Sequence, residues 1–194
     1  MQGQEDVMEP GGALSGLLTR AAALGGGAAP VHLWHPKDCG PIPMRIAADG
    51  TWHYGGTPIG RERMVRLFAS ILRREEDGRF VLVTPVEKVG IKVDDAPFQA
   101  VEMAVEGDAG CETLVLRTNV GDVVRAGADH PLRFNVEPRR QGLVPYVTVR
   151  GGLEARFTRA LAIELAERLV ERHGSWGVES GGVFFPAPDE DATC

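Results

Sequence analysis

Met64, Leu67, Phe68, Ile71 and Leu72 recur at i, i+3, i+4, i+7 and i+8, the spacing of one buried face of an amphipathic helix. Thr57 followed by Pro58 offers this helix an N-cap and a first-turn proline, and residues 75–78 end it. A second stripe, Leu153, Phe157, Leu161, Leu165 and Leu169, predicts a helix over residues 153–172. Leu14, Leu17, Leu18 and Ala21 share one face of a short helix near the N-terminus. Elsewhere the apolar residues come in short runs separated by turn residues, which is the pattern of strands. Residues 44–47 and 51–54 flank Asp49-Gly50, a hairpin turn that needs positive φ. Residues 80–83 and 88–93 are β-type runs broken by Pro85, and residues 94–97 form a turn and the first domain boundary. Further strands are expected at 98–105, 113–118, 123–125, 132–136 and 144–150. Val183, Phe184 and Phe185 are expected to dock as a last strand.

The order strand, strand, Gly-Gly, helix occurs twice. Met44-Arg45-Ile46 leads to Gly55-Gly56 and the helix of Phe68; Leu132-Arg133-Phe134 leads to Arg150-Gly151-Gly152 and the helix of Phe157. This predicts an α+β protein of two β-rich domains related by duplication, each a curved antiparallel sheet packed on one long helix. The expected layout is a flexible leader with a short helix over 1–30, an N-terminal α+β domain over 31–95, a C-terminal domain over 96–185 and a disordered tail over 186–194.

Composition narrows the function classes. The 194 residues include Gly 25 and Pro 13, a surplus that favours turns and short elements over a helical bundle. Hydrophobic residues make up 43% and charged residues 25%, enough for a packed core. A net charge of −6 argues against a general nucleic-acid binder, and no run of apolar residues is long enough to span a membrane as a helix. Cys39, Cys111 and Cys194 have no paired spacing, so no disulfide framework is expected and a reducing cytoplasm is the default compartment. The leader carries Glu5, Asp6 and Glu9 where a signal peptide needs basic residues.

Eighteen arginines stand against three lysines. A GC-rich genome accounts for most of that ratio, but four arginines sit where an anion site would want them. Arg61 opens the first predicted helix and Arg150 precedes the second, where unpaired N–H groups and the positive dipole end attract anions. Arg45 and Arg133 occupy matching strand positions, so all four could line one cleft; guanidinium forks match phosphate and carboxylate. No dinucleotide fingerprint or Gly-Lys-Ser/Thr loop is present. His35 and Cys39 could form a thiol–base pair or half a metal site, but Pro36 and Cys39-Gly40-Pro41 read better as a turn with Cys39 packed as a small apolar group. Glu87 and Lys88 read as a surface ion pair, and Asp94-Asp95 as turn residues. No serine has the glycines of a nucleophile elbow.

Val31-His32-Leu33-Trp34 with Cys39-Gly40, Met44-Arg45-Ile46, Asp49-Gly50-Thr51-Trp52, Pro58-Ile59-Gly60-Arg61 and Val83-Thr84-Pro85-Val86-Glu87-Lys88 are the first blocks of a family pattern. Asp95-Ala96-Pro97-Phe98, Thr118-Asn119-Val120-Gly121-Asp122, His130-Pro131-Leu132-Arg133-Phe134, Pro145-Tyr146 and Arg150-Gly151-Gly152-Leu153-Glu154 continue it. Residues 31–153 resemble the bacterial domain of unknown function 1285 family. The resemblance implies a duplicated two-domain fold whose C-terminal half is like a pleckstrin-homology domain. It also implies a ligand site between the domains, suited to a nucleotide-like molecule, and a role in signal transduction; it implies no catalytic residue and no cofactor. The candidate ligand-binding set is Arg45, Arg61, Lys88, Arg133, Tyr146 and Arg150. The expected function is non-catalytic binding or sensing of a small anionic ligand, with a signalling protein as a possible partner. The alternatives are a protein-interaction module without a small ligand, or a thiol-dependent enzyme using Cys39 and His35.

Overall fold

A computed structural model of the chain describes residues 16–17, 19–23, 29–108, 110–137 and 142–188. The chain divides into two compact units, residues 1–45 with 52–92, and residues 46–51 with 93–194.

The first unit is built on a six-stranded sheet ordered β3-β2-β1-β6-β5-β4. Its strands are β1 (Asp38–Ile46), β2 (Trp52–Tyr54), β3 (Thr57–Pro58), β4 (Leu72–Arg74), β5 (Phe80–Val83) and β6 (Lys88–Val93). One helix, α1 (Glu62–Ser70), lies between β3 and β4 in sequence. Thr57 and Pro58 do not cap it. Gly55 and Gly56 both take positive φ (55° and 81°), the turn that matches strand twist, and so draw Thr57 into register with Tyr54. Pro58 then sits on the sheet edge, where a missing N–H is tolerated. The N-cap is Arg61. The helix also stops short of residue 75: Ile71 follows it and Leu72 pairs with Leu82 across the hairpin closed by Gly78 at φ 86°. The stripe from Phe68 to Leu72 is buried as expected, but its last member is buried from a strand. Phe68 stacks on Trp52 with ring centroids 6.1 Å apart, and Met44, Ile71, Leu72, Val81, Leu82 and Val83 are buried in the same unit.

The second unit has a six-stranded sheet ordered β10-β11-β12-β7-β8-β9. The strands are β7 (Phe98–Glu106), β8 (Thr113–Thr118), β9 (Val123–Arg125), β10 (Leu132–Glu137), β11 (Gly142–Arg150) and β12 (Leu153–Phe157). β12 runs parallel to β7, with Ala155 opposite Phe98 and Phe157 opposite Ala100; the other pairings in this sheet are antiparallel. Helix α2 (Arg159–Ala166) comes next, then a small sheet of β13 (Val170–Arg172), β14 (Ser175–Ser180) and β15 (Val183–Pro186).

The fold class is therefore corrected. The protein is mostly β, with two six-stranded sheets, one small sheet and short helices, not sheets packed on long helices. The 20-residue helix expected after residue 153 is a strand, an eight-residue helix and another strand. The cause is an ambiguity of period: Leu153 and Phe157, four apart, fit one face of a helix and one face of a strand equally well. Gly151 and Gly152, at φ 50° and 72°, make a hairpin turn, and burial then alternates along Leu153, Ala155 and Phe157. The strand, strand, Gly-Gly, helix repeat fails for the same reason, since both Gly-Gly pairs are hairpin turns and neither opens a helix. The two sheets do share their winding: numbered within its unit, each reads third, second, first, sixth, fifth, fourth. A pleckstrin-homology-like closing helix is absent from the described residues of the second unit, because α2 is short and three strands come after it. Val183 to Phe185 does pair as a last strand, Val178 facing Phe185. Near the N-terminus, residues 16–17 and 19–22 are helical, with Leu17 and Ala21 buried. Residues 1–15, 24–28 and 189–194, including most of the expected leader and tail, lie outside the described residues.

Candidate functional site

A groove of about 1000 Å³ opens in the second unit. Its walls are the start of β11 (Leu143, Val144, Pro145), the end of β12 (Arg156, Phe157) and the exposed side of α2 (Arg159, Ile163, Ala166), with Gln99 and the Ala48–Asp49 turn at one end. Local chemistry fixes each wall. Thr158 caps α2 by accepting from the Leu161 N–H at 3.4 Å, and its own N–H is held by the Ala100 carbonyl at 3.2 Å. Gln99 donates from Nε2 to the Ala48 carbonyl at 3.1 Å, while its backbone N–H donates to Asn119 Oδ1 at 3.0 Å. Gly50 lets this turn approach: at φ 82°, a Cβ there would stand 2.6 Å from Gln99 Cγ. The walls are mostly apolar, and Ile163 is 58% exposed. The groove's cations are Arg156 and Arg159, and Asp49 is its carboxylate.

Behind the groove a charged row crosses the sheet. Arg133 on β10 is in register with Tyr146 on β11, Tyr146 with Arg156 on β12, and Arg156 with Gln99 on β7. Side chains in register share a face, so the four stand side by side. Arg133 makes a two-pronged bond to Glu154, at 2.6 and 2.7 Å, and its guanidinium lies 3.9 Å from the Tyr146 ring centre. The Tyr146 hydroxyl donates to Asp95 at 3.0 and 3.1 Å, and Arg156 Nη1 donates to the same carboxylate at 2.8 Å. Burial, followed by the Asp95 hydrogen bond and charge, pushes the Tyr146 phenol up to about 12. The Glu154 fork raises Arg133 further above its ordinary value.

The sequence-predicted residues are distributed over both units. Arg133 and Tyr146 meet in the charged row, where Glu154 neutralises the arginine. Arg150 pairs with Asp122 and lies 4.9 Å over the Phe98 ring. Lys88 Nζ reaches Glu75, not Glu87, at 3.0 Å, alongside Arg73. Burial raises the Glu75 carboxyl, but the bonds from Lys88 and Arg73 outweigh it and hold the group below its ordinary value. Arg45 is exposed on β1. Arg61 is exposed at the start of α1, beside Met64 and Leu67 in a hollow of about 450 Å³. At least four of the six, Lys88, Arg133, Tyr146 and Arg150, thus already hold a carboxylate. Sequence reasoning misses Asp95, Glu154, Arg156 and Arg159, the last three because they fall in a segment whose spacing reads as helix; only strand register brings Arg156 beside Tyr146. Cys39 is exposed on β1 rather than packed in a turn, its Sγ 3.7 Å from the Lys37 carbonyl, and no hydrogen bond joins it to His35. Among the described residues no three His, Cys, Asp or Glu side chains gather as a metal site.

Two family models match the chain: the domain of unknown function DUF1285, N-terminal domain, over residues 29–96, and the protein of unknown function DUF1285, C-terminal domain, over residues 97–187. The chain belongs to the DUF1285 family. Among solved structures it is similar to a DUF1285 family protein from Silicibacter pomeroyi DSS-3, with 52% identity, a TM-score of 0.82, and coverage of 88% of this chain and 93% of that one. A DUF1285 family protein from Shewanella baltica OS155 is 28% identical with a TM-score of 0.50, covering 65% of this chain and 91% of that one. Comparison with curated proteins gives no match. Most of the groove falls in the stretch matched by the C-terminal DUF1285 model, and Ala48 and Asp49 in the stretch matched by the N-terminal one.

Proposed function

We propose that this DUF1285 protein is a non-catalytic binding protein whose groove beside α2 takes a small anionic ligand with an apolar or planar body, as a nucleotide has. The observation that carries this is the position of Arg159: exposed in the first turn of α2, on the rim of an apolar groove, with no carboxylate partner among the described residues. Arg156 adds a second guanidinium that Asp95 holds in place at 2.8 Å. Apolar walls with a few fixed polar groups are the usual make-up of small-molecule sites. Ligand occupancy would be the input for the signalling role that the family resemblance implies. The exposure of Ile163 also suits a second function, docking of a protein partner without a small ligand.

A thermal-shift panel of nucleotides, dinucleotides, sugar phosphates and dicarboxylates tests this. A ligand at about 100 times its Kd adds about 2.7 kcal/mol, worth roughly 5–10 °C in a chain of this size. The expected result is a shift with one phosphate-bearing class, lost in Arg159→Ala while the unliganded Tm is unchanged. A flat panel favours the docking function; a shift that survives Arg159→Ala removes the groove as the site.

A further inference from the structure

We infer that the nucleotide taken by the groove is an adenine nucleotide, its base read by Gln99; this rests on the groove being the ligand site. Gln99 is 8% exposed and is held still. Its backbone N–H donates to Asn119 Oδ1 at 3.0 Å, and its carbonyl accepts from the Asn119 N–H at 2.9 Å. The side-chain amide has one orientation. The Ala48 carbonyl can only accept, so the atom 3.1 Å from it is Nε2, and Oε1 points elsewhere. Nε2 keeps a second hydrogen. Oε1 accepts no hydrogen bond among the described residues, and it is not sealed in the core; the sealed side-chain atom without a partner there is Trp52 Nε1. Gln99 is a wall of the groove, so the groove is where these two groups are open. A buried amide with one acceptor and one donor unused calls for a partner that fills both.

An acceptor beside a donor matches an amino group beside a ring nitrogen. Adenine carries that pair as N6–H and N7: N6–H donates to Oε1 and N7 accepts from Nε2, the two-point contact by which glutamine reads adenine. Hypoxanthine and guanine have O6 in place of the amino group, so the same edge sets an acceptor against Oε1. The rest of the nucleotide suits the other walls. Pro145 and Phe157 offer apolar surface to the purine ring. Arg156 is the in-register neighbour of Gln99, and Arg159 follows it by three residues, at most about 11 Å of chain. One nucleoside monophosphate spans that reach, with its phosphate at Arg159.

The test is calorimetric titration of the 194-residue chain with AMP, with IMP and with purine riboside 5′-monophosphate, which differ at ring position 6. AMP should bind at least about fivefold more tightly than either of the others. Gln99→Met should bring the three affinities together, whereas Arg159→Ala should weaken all three alike and leave their order. Gln99→Met also drops the Ala48 bond, so the wild-type comparison of the three nucleotides is decisive by itself. Equal affinity for AMP and purine riboside 5′-monophosphate, or tighter binding of IMP or GMP than of AMP, overturns the adenine assignment and leaves the groove as the site. No binding by any nucleotide removes the groove reading and this inference with it.

Discussion

Replacing Tyr146 by Phe removes one hydroxyl from the charged row and leaves its ring, and the consequence depends on pH. Tyr146 is 4% exposed, and its hydroxyl donates to both oxygens of Asp95. Losing a hydrogen bond to a carboxylate that keeps Arg156 as a second partner costs about 1–2 kcal/mol near neutral pH. The second effect has the opposite sign. The phenol is raised from 10 to about 12, first by burial and then by Asp95, so the folded chain keeps a proton that the unfolded chain releases. That contribution is complete below the unfolded pKa and is lost as pH rises through the folded one. At about 1.4 kcal/mol per pKa unit it amounts to roughly 2–3 kcal/mol across the window from 10 to 12. Tyr146→Phe has no such group. Urea midpoints of both proteins, measured from neutral to strongly alkaline pH at constant m, should show wild type ahead at pH 7, the two curves meeting between pH 10 and 12, and wild type behind beyond that crossing. Parallel curves across the alkaline range would refute the raised phenol, and equal midpoints at pH 7 would refute the Asp95 bond.

Four further substitutions probe the packing. Arg133→Lys keeps the charge but loses the fork on Glu154 and the stack on Tyr146, and should lower stability by about 1 kcal/mol, read as a Tm drop of a few degrees. Trp52 is 1% exposed and its Nε1 has no partner, so Trp52→Phe trades lost volume against an unpaired donor worth about 1–3 kcal/mol and should change stability by less than about 1.5 kcal/mol in a urea titration. Phe68→Ala, which empties the ring stacked on it, should cost about 3–5 kcal/mol by denaturant titration. Gly177→Ala places a Cβ 2.4 Å from the Phe185 carbonyl oxygen and 2.5 Å from Phe184 Cζ; amide exchange should then speed up through β14 and β15 while the six-stranded sheet keeps its protection.

Strand positions are legible wherever a run of apolar residues meets turn chemistry. Residues 113–118 and 123–125 come out with the expected bounds, because Asn119, Gly121 and Asp122 punctuate them. Helix extents are not. Leu72 and Phe157 lie on helical stripes yet are buried from strands, since a spacing of four satisfies both periods and the deciding turns, at Gly78 and at Gly151-Gly152, look like a helix end and a helix entry. The candidate site suffers from the same ambiguity. Arg45, Arg61, Arg133 and Arg150 are grouped by a repeat that the glycines do not support, while Arg156 and Arg159 lie inside the supposed helix. Carboxylate partners add a second reason: Asp122, Glu154 and Glu75 lie 28, 21 and 13 residues from the cations they hold, and no local pattern pairs them.

The parallel pairing of β12 with β7 also bears on how the chain assembles. β7-β8-β9 and β10-β11-β12 are each consecutive in sequence and can pair through local contacts, whereas Ala100 and Phe157 come from the first and the last strand of the sheet. The centre of the sheet closes across the widest sequence separation of any of its strand pairs, and closure of such non-local pairs is what slows folding. During synthesis β7 waits with one side unpaired until β12 has been made, so the interior strand of the finished protein spends the early life of the chain as an edge.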